Sequence, residues 1–381
     1  MIKRLLFWGV PAIALLGFAG FVGWIFTLPP AASPGAPPPI AQQDTEATLA
    51  ALKPPKRQRP LIAVIGINDA TEVTDYLMTY GILRRADVAD VLALATGAGP
   101  VSLYPALKVE PDATIAEFDA QNPDGADYVV VPAMTPDDDP AALEWIKSQS
   151  AKGATIVSVC AGAKVIAEAG LLDGKRGTTH WYYLKELREK HPKLDYVADR
   201  RLVVDQTVAT TTGISASMPM MLTLIEAIAG REKAEAVGRD LGLAQWDARH
   251  DSAAFRFTRP FAVTVMGNMA AFWNRDRFGI ELSPGIDEVS LALIADAWSR
   301  TYRSSAVTFA AGPVETRSGL RIIPEETVTD WPGQQKLSAM EGVPPAKALD
   351  DTLRGIEARY GQRTADIVAM QLEYPRTVAQ D

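Results

Sequence analysis

ATIVSVCAGAKVIAEAGLLDGKRGTTHW, from Ala154 to Trp181, decides how this chain is read. Its first part holds Thr155, Ile156, Val157 and Val159, a short β-branched run that predicts a fully buried strand. Its second part, Ala161 to Ala169, sets Val165 and Ile166 among good helix formers and stops at Gly170. The sole cysteine, Cys160, stands at the junction beside Ala161, Gly162 and Ala163. A strand that turns at once into a helix needs small neighbours, and it pushes the junction side chain out at the sheet's carboxyl edge. There the free N–H groups and positive dipole of the helix start favour a thiolate. That is the geometry of a nucleophile elbow. Free cysteine is also among the most buried residues, so a small core hydrophobe is the competing reading of Cys160.

Working outward, Leu61–Gly66 (LIAVIG), Val88–Ala95 and Asp127–Val131 (DYVVV) read as further buried strands. A helix is expected from about Asp75 to Ala86, with Leu77, Tyr80 and Leu83 on one face. Pro100–Val109 alternates like a short hairpin. Asp139 as N-cap, Pro140 at the first helical position and Gly153 past the end frame a helix that leads to the elbow strand. Arg201–Asp205 and Thr207–Thr211 read as paired strands, followed by a helix over Met218–Ala229 and an amphipathic helix in GREKAEAVGRDLGL.

The elbow, the TTHW that ends it and TTTGISASM (Thr210–Met218) resemble the DJ-one/PfpI superfamily. The likeness runs from about Pro60 to Gly242 and is strongest to the amidase-like domain of AraC-type regulators and to isocyanide hydratases. It implies an α/β fold, the glutamine-amidotransferase-like (flavodoxin-like) parallel-sheet sandwich. It also implies that Asp75, an acid at the start of its helix, reaches Cys160, with Glu72 as the fallback; on its own Asp75 reads equally as a helix N-terminal carboxylate. His180 in TTHW is implied to approach the site, although a lone histidine is more often a hydrogen-bonded structural residue. Gly213 would let the backbone come close to the cysteine. Relatives carry glycines after the proline that ends the third strand, where backbone N–H groups hold an oxyanion; Ala133 and Met134 stand there in this chain. After the cysteine, peptidase-like members have a histidine and hydratase-like members a threonine, whereas this chain has Ala161. A cysteine–histidine dyad is thus not legible.

At the N-terminus, Lys3 and Arg4 precede an uncharged apolar run, Leu5–Leu28, long enough to span a bilayer and flanked by Trp8 and Trp24. It predicts a single-pass membrane anchor over 1–28, N-terminus in the cytoplasm and body periplasmic or extracellular; a long signal peptide is the alternative. Residues 29–60 are Pro-rich and read as a linker whose basic KPPKRQRP touches anionic headgroups or is simply solvated. Residues 61–243 form the elbow domain. In 244–381, PVETRSGLRIIPEETVTDW (Pro313–Trp331) aligns without gaps on PVSLYPALKVEPDATIAEF (Pro100–Phe118). DEVSLALIADAW (from Asp287) resembles TEVTDYLMTYGIL (from Thr71), with Leu291 where Asp75 stands, and GQRTADIVAMQL (from Gly361) resembles GREKAEAVGRDL (from Gly230). These matches predict a truncated α+β repeat without its own cysteine, docked on the first copy as an intrachain pseudo-dimer.

Formal net charge is −8 and no helix-turn-helix is evident, so no nucleic-acid partner is expected. The three scattered histidines and one cysteine lack ligand spacing, so neither metal nor cofactor is expected. Two functional readings follow. In one, Cys160 and Asp75 act on a small carbon–nitrogen substrate by hydration or hydrolysis. In the other, the domain binds a small-molecule ligand or senses redox state through Cys160, without catalysis.

Overall fold

The computed structural model describes residues 20–31 and 35–376. Residues 20–27 are helical (α1), and Gln42–Ala51 form α2. Among the described residues no helix is long and apolar enough to cross a membrane. Most of the expected span Leu5–Leu28 lies in residues 1–19, outside the described residues.

The first half then runs β1 (Leu61–Gly66), β2 (Asp69–Glu72), α3 (Val73–Ala86) and β3 (Asp90–Ala95). Next come β4 (Val101–Tyr104), β5 (Lys108–Glu110), β6 (Ala113–Thr114), α4 (Ile115–Gln121), β7 (Tyr128–Val131) and α5 (Pro140–Ala151). The elbow supplies β8 (Thr155–Ser158) and α6 (Gly162–Glu168); β9 (Arg176–Gly177), α7 (Leu184–Lys190) and β10 (Asp195–Tyr196) follow. The half closes with β11 (Leu202–Asp205), β12 (Val208–Thr211), α8 (Ser217–Ala229) and α9 (Arg231–Leu241). Its seven-stranded sheet has the order β11-β12-β8-β7-β1-β3-β6, parallel throughout except for the β11–β12 pair. This is the flavodoxin-like α/β sandwich that the resemblance implies. Successive side chains point to opposite faces of a strand. Ile62 and Val64 of β1 accordingly join Tyr128, Val130 and Val157 in one core with α3 and α8, while Ala63 and Ile65 join Val129, Val131 and Ile156 in the other with α5 and α6.

Two stretches differ from the sequence reading. The α3 helix starts at Val73, not Asp75, because Glu72 accepts the Asp75 N–H and takes the N-cap role. Residues 42–60 are not a free linker. Leu52 is fully buried, and the Tyr128 hydroxyl donates to its carbonyl. The basic patch turns inward as well. Asp127, itself buried, accepts the N–H groups of Lys56, Arg57 and Leu61 and an Arg57 guanidinium N–H at 2.6 Å.

The second half contains α10 (Arg259–Ala270), β13 (Asp276–Glu281), α11 (Glu288–Ser299), β14 (Ser304–Phe309), β15 (Val314–Glu315), β16 (Arg321–Ile323), β17 (Lys336–Leu337), α12 (Pro345–Tyr360) and α13 (Gln362–Gln371). β13 pairs in parallel with β14 and β17, with α11 as the crossover between β13 and β14. The halves meet in two places. β16 pairs antiparallel with β5, and Val109 lies opposite Ile322, the residue it aligns with in the sequence repeat. α3 and α11 also pack together, and both are buried on nearly every side. A helix buried on nearly every side cannot be a surface element, so each half covers the other's central helix. The helix pairs α8–α9 and α12–α13 each turn at a glycine in nearly the same conformation, Gly230 at φ 87°, ψ 166° and Gly361 at φ 85°, ψ 160°.

At the α3–α11 contact Gly81 leaves no room for a methyl group. A Cβ there would run into the Glu288 side chain, which is fully buried and bonded to the Ser318 hydroxyl at 2.6 Å. Glycine to alanine inside a helix ordinarily stabilises by about 1 kcal/mol. Here overpacking reverses the sign, and Gly81→Ala is expected to destabilise by about 1–3 kcal/mol, read from chemical denaturation. A stabilised variant would contradict the close packing of the two halves.

Candidate active site around Cys160

Cys160 sits at φ 55°, left-handed backbone that a residue with a Cβ rarely adopts, so the turn between β8 and α6 is a strained elbow. Neighbouring groups hold it there. The Cys160 N–H donates to the Thr211 hydroxyl at 3.0 Å, and the Thr179 hydroxyl donates to the Cys160 carbonyl at 3.2 Å. Gly162 is required by space, since a Cβ would collide with the carbonyls of Val131 and Pro132. The side chain is 4% exposed. Burial pushes the thiol well up, and the carboxylates of Asp75 and Glu72 add to this; the Ala161 N–H and Arg300 oppose it. Cys160 therefore rests as a thiol.

Asp75 is fully buried, and its charge is felt at the Cys160 thiol. Its Oδ2 accepts the Ala133 N–H at 3.0 Å, and its Oδ1 is buried with no hydrogen-bond partner. The Glu72 N–H in turn donates to the Ala133 carbonyl at 2.9 Å, clamping the loop after β7 onto the start of α3. Burial first, then the neighbouring Glu72, raises the Asp75 carboxyl well above the usual range. A neutral Asp75 has a proton to place on Oδ1, where the structure leaves an oxygen unpartnered.

The second half supplies the cation. Arg300, just past α11, donates from Nη2 to Glu72 Oε1 at 2.8 Å and from Nε to Asp296 Oδ1 at 2.7 Å. Asp296 is fully buried, and burial raises its carboxyl while Arg300 draws it down. Glu72 thus divides its oxygens, Oε1 for Arg300 and Oε2 for capping α3 and for the Thr74 hydroxyl. The arrangement is reciprocal. Arg85 near the end of α3 donates to both oxygens of Asp287, the N-cap of α11, at 3.0 Å.

The remaining residues expected at the site take other roles. His180 is buried, with Nε2 2.9 Å from the Gln371 carbonyl and Nδ1 accepting the Tyr182 N–H at 3.2 Å. With both ring nitrogens committed to backbone, and its pKa lowered by burial, it is a neutral structural histidine rather than a base. Gly213 does not approach the cysteine among the described contacts. A Cβ on it would meet Glu373 and the His180 ring, and its N–H donates to Glu373 Oε2 at 2.6 Å. The Ala133 N–H is occupied by Asp75 and is no free oxyanion donor. Ala161 offers no side-chain hydroxyl, and its N–H acts on the Cys160 thiol only by opposing the rise of its pKa. Three participants escaped the sequence reading: Arg300, Thr211 and Glu373. Glu373 holds φ 52°, pairs with His250 at 2.8 Å, and with Gln371 and Met370 ties the end of the chain to the TTHW segment. Thr211 lies within the TTTGISASM stretch, whereas nothing in the local sequence around Arg300 or Glu373 marks either residue.

The chain from 62 to 227 matches the DJ-1/PfpI family. These residues form a DJ-1/PfpI domain. The transcriptional regulator CdhR of Pseudomonas aeruginosa is 31% identical over 125 residues, 33% of this chain and 37% of the regulator. The isonitrile hydratase of Pseudomonas putida is 35% identical over 143 residues, 36% of this chain and 59% of the hydratase. The chain thus spans less than two thirds of either relative. Drosophila melanogaster dj-1beta is 25% identical over 184 residues, 47% of this chain and 95% of that protein. Its crystal structure aligns at a TM-score of 0.44 with 24% identity, covering 49% of this chain and all of that one.

The Asp75 carboxyl sets a pH dependence. Its folded pKa lies above its unfolded one, so its contribution to stability is full below the ordinary carboxyl range and is lost as pH rises through the folded value. Asp75→Asn keeps the acceptor for Ala133 and cannot ionise. Relative to the native chain, the variant should gain stability as pH rises above about 4. A difference that stays flat with pH in denaturation curves would mean that the folded Asp75 carboxyl titrates as it does in the unfolded chain.

Proposed function

We propose that this protein is a membrane-anchored DJ-1/PfpI protein whose Cys160 adds to a small carbon–nitrogen multiple bond, with Asp75 as the proton donor. The observation that carries this reading is the disposition of Asp75: one oxygen is fixed by the Ala133 N–H, the other is buried without a partner, and its charge acts on the buried Cys160 thiol. Attack on an amide or ester carbonyl creates an oxyanion and needs free N–H donors. Addition of S–H across a carbon–nitrogen multiple bond creates none. For an isonitrile, sulfur bonds the terminal carbon and a proton is delivered to that carbon, giving a thioimidate. Water then adds and the carbon–sulfur bond breaks, leaving the N-substituted formamide and the free thiol. Asp75 supplies the first proton and recovers one from Cys160, so no net proton is consumed. The likeness to an isonitrile hydratase supports this substrate class. The absence of a hydroxyl at Ala161 sets the chain apart from hydratases of the family.

In this reading the second half is a shortened copy of the first that has become its permanent partner, and it contributes Arg300 to the site. Leu5–Leu28 anchors the body to the outer face of a membrane. A second reading, ligand binding without turnover, is favoured by one observation. The segment Met370–Glu373 is bonded across the TTHW loop, and Cys160 is 4% exposed.

The native chain is expected to convert a simple alkyl isonitrile to the formamide, followed by loss of the isonitrile infrared band. Cys160→Ser and Asp75→Asn should each lower the rate at least about 100-fold. An isonitrile that binds, perturbing the thermal midpoint, and is never hydrated would replace catalysis with the second reading.

A further inference from the structure

The outer face of α10 is unlike that of an ordinary surface helix. From Pro260 to Asn274 the sequence PFAVTVMGNMAAFWN holds no charged residue. Pro260, Val263, Gly267 and Ala270 are exposed and recur at helical spacing along one face. The inner face is committed to the fold: Phe261 and Ala262 are buried, and Asn268 donates to the Thr301 carbonyl and the Thr364 hydroxyl. At the end of the helix and just beyond it, Met269, Phe272 and Trp273 are 50%, 68% and 76% exposed, the last two edge to face at 5.1 Å. Arg256 and Arg275, both exposed, bracket the uncharged stretch.

The same helix receives the end of the N-terminal apolar run. The Arg259 guanidinium donates to the carbonyls of Ile25, Phe26 and Leu28, at the end of α1 and just past it, and its N–H donates to the Pro29 carbonyl at 2.8 Å. Its charge complements the negative end of that helix and lies over the Phe26 ring. Phe21, Trp24 and Phe26 are exposed, and Trp24 meets Phe257, which meets Phe261. An uncharged run of bilayer length therefore ends against α10 itself.

We propose that α10 and the Phe272–Trp273 turn lie in the interface of the bilayer that holds Leu5–Leu28, as a second, non-spanning membrane contact. At 12 residues α10 is too short to span, but an uncharged outer face, exposed aromatics and flanking arginines are what an interfacial helix presents to lipid and anionic headgroups. The ring contacts continue from Phe261 to Trp181 and His180, so the surface against the bilayer adjoins the TTHW segment, whose Thr179 hydroxyl bonds the Cys160 carbonyl.

This inference rests on the membrane-anchor reading, and the experiment separates the two. The full chain, carrying Cys160→Ala and a single new cysteine labelled with an environment-sensitive fluorophore, is reconstituted into vesicles of phosphatidylcholine and phosphatidylglycerol. Flotation reports the anchor. Quenching by lipids carrying a nitroxide on the acyl chain reports depth. Labels at Met269→Cys and Trp273→Cys should shift to the blue and be quenched several-fold, while a label at Lys147→Cys on α5 stays unquenched. A chain that floats with labels at 269 and 273 no more quenched than at 147 overturns the interfacial surface and leaves the anchor standing. A chain that does not float overturns both. Disulfide-linked dimers forming through residue 273 in place of quenching would assign the face to a second copy and also overturn the proposal.

Discussion

The structure depends on a reciprocal pair of ion contacts between two buried helices. Arg300 at the end of α11 reaches Glu72, which caps α3, and Arg85 near the end of α3 reaches Asp287, which caps α11. Each cation neutralises the carboxylate that fixes the other helix's start. Side chains taken out of water in this way are costly unless every oxygen finds a partner, and removing one member of a buried pair typically costs about 3–5 kcal/mol. The halves are therefore bound by a constraint that neither satisfies alone, in addition to the apolar surface that α3 and α11 share.

That constraint also reaches the chemistry. Glu72 bonds Arg300 and also acts through its charge on Asp75 and Cys160. Its charge raises both the Asp75 carboxyl and the Cys160 thiol after burial has done most of the work. The cation from the second half tempers a pocket that would otherwise hold an excess of carboxylate. Thiol and acid are kept in their neutral forms by a low-dielectric site built from both halves, which suits a reaction that transfers a proton without creating an exposed anion.

Much of this was legible in the sequence because local chemistry and global fold agree there. LIAVIG and DYVVV are buried strands, Asp139–Pro140 starts α5, and the small residues after Cys160 permit the elbow. The segments aligned as a repeat, Pro100–Phe118 and Pro313–Trp331, are expected to superpose; the structure pairs β5 with β16, with Val109 opposite Ile322. Other parts were hidden for physical reasons. β13, DRFGIE, alternates correctly, with Phe278 and Ile280 buried, but it is short, charged at its ends and overshadowed by the apolar α10 before it. Arg300 reads as an ordinary basic residue ending a helix, and only the tertiary contact with Glu72 gives it a role. His180 carried a motif's expectation of chemistry, yet both of its nitrogens serve the backbone.

The central claim is that the second half holds and completes the Cys160 site through Arg300 and Glu72. A double-mutant cycle of Glu72→Gln, Arg300→Gln and the combined variant, read by chemical denaturation, tests it most directly. The account predicts that the double variant is less destabilised than the sum of the singles, with a coupling of at least about 1 kcal/mol. Effects that add to within about 0.5 kcal/mol would contradict it, because residues that do not interact add to that precision.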